Sequence, residues 1–311
     1  MSKIAFIYPG QGAQKAGMGA DFYENSEIAR YIFDQAGEEL DLDMKELCFE
    51  ENDRLDLTEY TQAAMVTTCL AMTRVAESKG LKADITAGLS LGEYPAIAAA
   101  GGMNDMDAIR LVRKRGILMQ NTVPAGEGAM CAVISMAAEE IEKVIEPIAD
   151  VSVANYNCPG QIVITGKTDA VEEAAAKLKE AGARRTIMLN VSGPFHSQML
   201  VPAGEKLAEE LEHTRFHELR IPYVTNVTAE KVTDIRETPG LLTTQISSPV
   251  RWMQSMERMI ADGVDTFVEI GPGKTLEGFL RKIDRSVKVF HISQWEDVDK
   301  VCTELADSGK M

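Results

Sequence analysis

The segment Gly88-Leu89-Ser90-Leu91-Gly92 stands between two stretches of opposite character and demands a sharp reversal from strand to helix. Before it, Ala83–Leu89 is a short apolar run that reads as a buried strand, and after it Tyr94–Ala100 is a small-residue stretch that reads as a helix. A Gly-x-Ser-x-Gly turn in that context lifts the serine hydroxyl onto a crest, beside the unpaired N–H groups of a helix N-terminus. Such N–H groups are where the oxyanion of an acyl-transfer reaction would be stabilised. Taken alone, the same five residues are equally open to reading as an ordinary glycine turn.

The rest of the chain supplies the context. Strand signals at Lys3–Tyr8, Ala83–Leu89, Ile221–Thr225, Asp265–Ile270 and Val287–Ile292 alternate with helix signals at Tyr60–Lys79, Asp105–Gln120, Val250–Ala261 and Thr275–Ile283. That alternation predicts an α/β fold with a mostly parallel sheet. Pro249 after Ser247-Ser248 predicts the capped start of the Val250–Ala261 helix. The middle is different: strands at Ala129–Ser135, Val151–Tyr156, Gln161–Thr165 and Arg185–Val191, with helices at Ala137–Ile148 and Thr168–Ala181. The order βαββαβ is the ferredoxin-like pattern. It predicts a small domain over 126–192, inserted into a larger one made of 1–125 and 193–311.

Two glycine loops imitate phosphate-binding motifs and fail them. The third glycine of GxGxxG begun at Gly10-Gln11-Gly12 would fall on Lys15, and the first glycine of a P-loop ending at Gly273-Lys274-Thr275 would fall on Val268. The net charge of −16 argues against nucleic acid as the main ligand, since phosphate binding needs a basic field. Local basic groups are present at Arg113-Lys114-Arg115, Arg184-Arg185 and Arg281-Lys282 with Arg285. The five cysteines are scattered, without CxxC or HExxH spacing, which predicts reduced thiols and no metal. No apolar run is long enough for a membrane span, and the N-terminus reads as a strand rather than a signal peptide. The expectation is a cytoplasmic protein.

A serine hydroxyl needs a base to become a nucleophile near neutral pH. Of the four histidines, His213 and His217 lie in a polar stretch and His291 ends a strand. His196, in the tight loop Val191-Ser192-Gly193-Pro194-Phe195-His196-Ser197, is the best candidate base. No acid completes a triad by spacing, and Glu93, just after the elbow, reads as a complement to the helix N-terminus.

Six motifs then occur in a familiar order: Pro9-Gly10-Gln11-Gly12-Ala13-Gln14, the Gly88–Tyr94 elbow, Arg115-Gly116, Asn155-Tyr156-Asn157-Cys158-Pro159-Gly160-Gln161, Pro194-Phe195-His196-Ser197 and Glu269-Ile270-Gly271-Pro272-Gly273-Lys274. Together they resemble the malonyl-CoA:acyl carrier protein transacylase family of fatty-acid synthesis, from Lys3 to about Arg285. The resemblance implies a hydrolase-like α/β domain with a ferredoxin-like insert. It also implies a ping-pong transfer of malonyl from malonyl-CoA to an acyl carrier protein. In that scheme Ser90 carries the acyl ester and His196 is the general base and then acid. Gln11 and the Leu91 N–H form the oxyanion hole, and Arg115 binds the free malonyl carboxylate. Gln245 orients the imidazole through its backbone carbonyl. Asn155, Asn157 and Phe195 are candidate substrate contacts, the last linked to malonyl over bulkier branched groups.

One departure is Leu89, where many family members carry histidine before the nucleophile. The implied chemistry exchanges thioester for ester, so coenzyme A enters as substrate and no metal or redox cofactor is expected. The basic pairs Arg184-Arg185 and Arg281-Lys282 are the expected docking face for an acidic carrier protein. Alternatives are a serine thioesterase or hydrolase acting on acyl-CoA, and a trans-acting polyketide acyltransferase. A monomer is the default expectation.

Overall fold

The run Ile4-Ala5-Phe6-Ile7-Tyr8 is buried throughout, as expected of a strand covered on both faces. Its side chains alternate: Ile4, Phe6 and Tyr8 enter one apolar cluster with residues of the long helix Thr58–Ser78, while Ala5 and Ile7 enter another with Trp252, Met256 and Leu280. The computed structural model describes residues 2–310. Its strands are β1 (Lys3–Tyr8), β2 (Ile85–Gly88), β3 (Gly128–Ile134), β4 (Val151–Cys158), β5 (Gln161–Lys167), β6 (Arg185–Met188), β7 (Tyr223–Val224), β8 (Lys231–Val232), β9 (Val264–Ile270) and β10 (Lys288–Ile292).

These strands form two sheets. The larger has the order β10-β9-β1-β2-β7-β8 and is parallel except for the edge pair β7–β8. It is therefore the mostly parallel sheet that the alternation predicts. Tyr8 is in register with Gly88, so the loops after β1 and β2 leave the sheet side by side. Open parallel sheets place ligands in a crevice beyond the carboxyl ends of their strands, and this is where the elbow lies.

The smaller sheet is antiparallel, in the order β4-β5-β3-β6. One face carries Cys131, Val133, Ile162 and Ile164 against the helices Ala138–Ile145 and Thr168–Glu180. The other face carries Met130, Ala132 and Val163 into the main core, so the sheet leans on the larger body.

Backbone contacts fasten the two sheets together. Val250 bridges Asn155 in parallel, with its N–H donating to Ala154 O (2.8 Å) and its carbonyl accepting from the Tyr156 N–H (2.9 Å). This corrects the helix expected from Val250: the helix runs Trp252–Ala261, and its N-cap Arg251 makes no side-chain cap bond. Pro249 therefore lies outside the helix, because the backbone of Val250 is spent on pairing with β4. The turn expected over 157–160 is also tighter, since Asn157 and Cys158 remain in β4. No helix is long and apolar enough to cross a membrane among the described residues.

Candidate active site

At the end of β2 the chain makes a single tight helical turn, Ser90–Gly92, and enters the helix Glu93–Ala99. Ser90 has φ 55°, the left-handed region that costs a non-glycine residue energy and recurs at functional turns. The flanking glycines are required by contact. A Cβ on Gly88 would lie 1.8 Å from Gly92 O, and one on Gly92 would lie 2.4 Å from Tyr8 O. Asn226, just past β7, clamps the turn from both sides. Its Oδ1 accepts from the Ser90 N–H (2.7 Å), and its Nδ2 donates to Gly88 O (2.7 Å).

Ser90 and His196 meet. Ser90 Oγ lies 2.8 Å from His196 Nε2, and His196 Nδ1 lies 2.9 Å from the Gln245 carbonyl. A carbonyl only accepts, so Nδ1 carries the proton and Nε2 is left to take one from the serine. His196 is also left-handed, at φ 60°, and it is buried. Burial, reinforced by the nearby Arg115 charge, pushes its pKa down to about 4 against the pull of the Gln245 and Ser248 backbone. The imidazole is therefore neutral, and able to act as a base, across the neutral range.

Arg115 reaches the same point from the helix Asp105–Asn121 and has no exposed surface. Its Nη2 donates to Ser90 Oγ and to Gln245 Oε1, both at 3.0 Å, and its Nη1 donates to Gln62 Oε1 at 2.8 Å. Burial lowers its pKa, opposed by Tyr94 and Glu93. The other two cations of the cluster turn away: Arg113 pairs with Glu59 at 2.9 Å and Lys114 with Glu210 at 3.3 Å.

The serine opens onto a cavity of about 750 Å³ between the two sheets. Gln11, Asn155, Asn157, Phe195 and Leu89 line it, and Met119, Met130 and Val163 supply an apolar wall. Asn157 Oδ1 is buried with no hydrogen-bond donor among the described residues. Leu91 is buried at the elbow, with its N–H in the first turn, where helices leave donors free. The Gln11 side chain is committed elsewhere, its Nε2 donating to Thr58 Oγ1 at 3.0 Å, and Thr58 in turn meets Ser192 Oγ at 2.9 Å. The structure thus gathers Ser90, His196, Gln11, Leu91, Arg115, Gln245, Asn155, Asn157 and Phe195 around one cavity and its floor. His213 is exposed, while His217 and His291 are partly exposed and do not line the cavity.

Four participants were not legible as such. Thr58 and Gln62 share a helix face one turn apart and reach Gln11 and Arg115 respectively. The same helix carries Thr61, Thr67, Thr68 and Thr73 as further buried polar residues, so no local signal singles these two out. Asn226 follows the end of a strand, but nothing local reveals its clamp. Glu93 stands at the helix N-terminus as expected, yet its carboxylate is buried and bonded to Gln245 Nε2 (2.6 Å) and the Asn226 N–H (3.1 Å). A buried carboxylate must find donors, and these come from distant segments rather than from its own helix. Among the described residues no group of three His, Cys, Asp or Glu side chains is placed to hold a metal.

Comparison with known proteins gives the family and the overall fold. The model of the acyl transferase domain matches residues 5–296. A malonyl CoA-acyl carrier protein transacylase of Bacillus subtilis is 44% identical, with 99% of each chain covered. One from Staphylococcus aureus is 40% identical, covering 96% of this chain and 98% of the relative. Among solved structures, the malonyl CoA-acyl carrier protein transacylase of Clostridium perfringens superposes with a TM-score of 0.95 at 42% identity, covering 99% of this chain and 98% of that one. A malonyl-transacylase in complex with its type II PKS acyl-carrier protein superposes at 0.94 and 36% identity, covering 97% and 100%.

Proposed function

This chain belongs to the acyl transferase family, among the malonyl CoA-acyl carrier protein transacylases, and on that footing we propose that it moves malonyl from coenzyme A to the phosphopantetheine thiol of an acyl carrier protein through an ester on Ser90. The observation that carries the proposal is the contact of Ser90 Oγ with both His196 Nε2 and a buried arginine, at 2.8 and 3.0 Å.

In the first half-reaction Ser90 Oγ attacks the thioester carbonyl as His196 Nε2 takes its proton. The C–S bond breaks, and the proton passes from the imidazolium to the departing thiolate of coenzyme A. In the second, His196 takes the proton of the carrier thiol as its sulfur attacks the ester; the acyl C–O bond breaks and the imidazolium returns the proton to Ser90 Oγ, restoring the hydroxyl. The oxyanion of each tetrahedral intermediate faces the Leu91 N–H and the Gln11 loop. Because the Gln11 amide is held by Thr58, its main-chain N–H is the donor in this reading. Such a donor contributes about 3–4 kcal/mol in the transition state. The Gln245 carbonyl fixes the tautomer but stabilises imidazolium less than a carboxylate would. Arg115 presents its planar fork to the free carboxylate of malonyl, and Asn155, Asn157 and Phe195 line the path of the acyl group and its carrier arm.

The domain division read from the sequence fits this scheme, with the 126–192 segment forming one wall of the cleft and the remainder the other. Arg184 and Arg185 are exposed at the start of β6, which leads to the cavity at Leu189, and Arg281 and Lys282 are exposed on the helix Thr275–Ile283. These are the surfaces on which an acidic carrier protein would dock.

The acid limb of acylation follows from the depressed His196 pKa. Protonation removes the base, and a lowered pKa keeps the neutral form to lower pH, so kcat/KM should hold well below pH 6.5 and fall towards about 4. A pH profile of the malonyl-CoA half-reaction checks this; half-loss at pH 6.5 would contradict it. The function itself is tested by following malonyl from malonyl-CoA in the presence of a carrier protein bearing its phosphopantetheine arm. Malonyl on the carrier thiol is expected. Release of free malonate with none on the carrier would point instead to a thioesterase.

A further inference from the structure

We propose that Glu93 is a positioning residue for the His196 base, acting through Gln245, an inference that rests on the Ser90–His196 reading above. A carboxylate with no exposed surface is costly to bury, and capping a helix N-terminus does not require it, because an exposed acid serves the macrodipole. What burial achieves here is contact with one glutamine. Glu93 Oε2 accepts from Gln245 Nε2 at 2.6 Å and from the Asn226 N–H at 3.1 Å. Gln245 Nε2 also donates to Ser90 O (3.0 Å), its Oε1 accepts from Arg115 Nη2 (3.0 Å), and its main-chain carbonyl accepts from His196 Nδ1 (2.9 Å).

One side chain is thereby held at both ends, by the Glu93 carboxyl group and the Arg115 guanidinium, while its own backbone sets the imidazole. Asn226, held by the same carboxylate oxygen, clamps Ser90. Glu93 touches neither the serine hydroxyl nor the imidazole, yet it fixes the parts that hold both. Gln245 ends the helix Thr238–Gln245, and apart from the imidazole its carbonyl accepts only a long bond from the Ser248 N–H, at 3.4 Å. Its direction therefore depends on what grips the residue.

The shape of the bond predicts which substitutions are tolerated. In Glu93→Gln the side-chain oxygen can keep accepting from Gln245 and Asn226. The new amide group takes the place of Oε1, which accepts from no donor among the described residues. Glu93→Leu removes the acceptor at similar volume and leaves Gln245 Nε2 with one partner fewer. A displacement of about 1 Å at a catalytic group is enough to cost about 100-fold.

The test combines transfer kinetics with proton NMR of the low-field Nδ1–H of His196. Glu93→Gln should keep kcat within about threefold and retain the resonance. Glu93→Leu should lose on the order of 10- to 100-fold in kcat, with KM for malonyl-CoA within about threefold, and should lose the resonance. Full kcat with an intact resonance in Glu93→Leu would overturn the proposal. So would equal losses in the Gln and Leu variants, which would make charge rather than the bond decisive. Should the Leu variant fail to fold, Gln245→Leu severs the same bond from the other side. It is expected to show the same loss of kcat and resonance, and wild-type behaviour there would overturn the proposal. The resonance is read without turnover, so it stands apart from failure of the Ser90–His196 mechanism, which an active Ser90→Ala would reveal.

Discussion

Ser90→Ala should lower kcat/KM for malonyl transfer by on the order of 10⁴- to 10⁶-fold, the loss typical when a covalent nucleophile is removed from a working dyad. The expectation is steep because the rest of the site cannot substitute. His196 would retain its Gln245 contact at 2.9 Å, but its Nε2 would face a methyl group. Arg115 would keep its bonds to Gln62 and Gln245 and lose only the one to the serine oxygen. The fold should survive, since the turn is imposed by Gly88, Gly92 and the Asn226 clamp rather than by the hydroxyl. The comparison therefore needs only a thermal melt beside the rate. A variant of unchanged melting temperature within tenfold of wild-type activity would remove Ser90 from the chemistry.

Arg115→Ala should reduce kcat/KM for malonyl-CoA by about 30- to 4,000-fold, the equivalent of the 2–5 kcal/mol lost when one partner of a buried charged pair is truncated. Acetyl-CoA has no carboxylate for the guanidinium, so its transfer should hold or rise, and the ratio of the two rates is the informative quantity. Arg115→Lys should rescue poorly, because a point charge cannot make two parallel bonds to one carboxylate. The substitution also leaves Gln62 Oε1 and Gln245 Oε1 short of a donor in a buried site, at about 1–3 kcal/mol each in stability. Equal losses with both substrates would therefore indicate collapse of the site rather than lost recognition. The selectivity assay should be run well below the melting temperature of the variant.

The elbow was legible because its requirement is local: two glycines flank the serine, and any Cβ there strikes backbone. The mostly parallel sheet was legible for a similar reason, since strands buried on both faces leave continuous apolar runs such as Ile4–Tyr8. The strand expected at Ile221–Thr225 shrank to Tyr223–Val224, and β8 beside it is equally short. Helices of six residues, Ala20–Asn25 and Met44–Phe49, are too brief for a periodic signal. Longer ones such as Glu27–Leu40 and Trp295–Asp307 do carry it, burying Ile32, Phe33 and Ala36 in the first and Val298, Val301 and Leu305 in the second.

The site divides in the same way. His196 could be favoured by elimination among four histidines, but Arg115 could not be separated from Arg113 and Lys114 without the family resemblance. Glu93 does stand at its helix N-terminus, and that sufficient local explanation conceals a tertiary one. Its partners, Asn226 and Gln245, lie 133 and 152 residues away. No spacing rule reaches that far.

The most direct test of the account is the mass of the intact protein after brief exposure to malonyl-CoA without a carrier, followed by peptide mapping. The account predicts one malonyl adduct per chain, mapped to Ser90, absent from Ser90→Ala and discharged by a carrier protein thiol. An adduct on another residue, or one that persists in Ser90→Ala at wild-type yield, would contradict it.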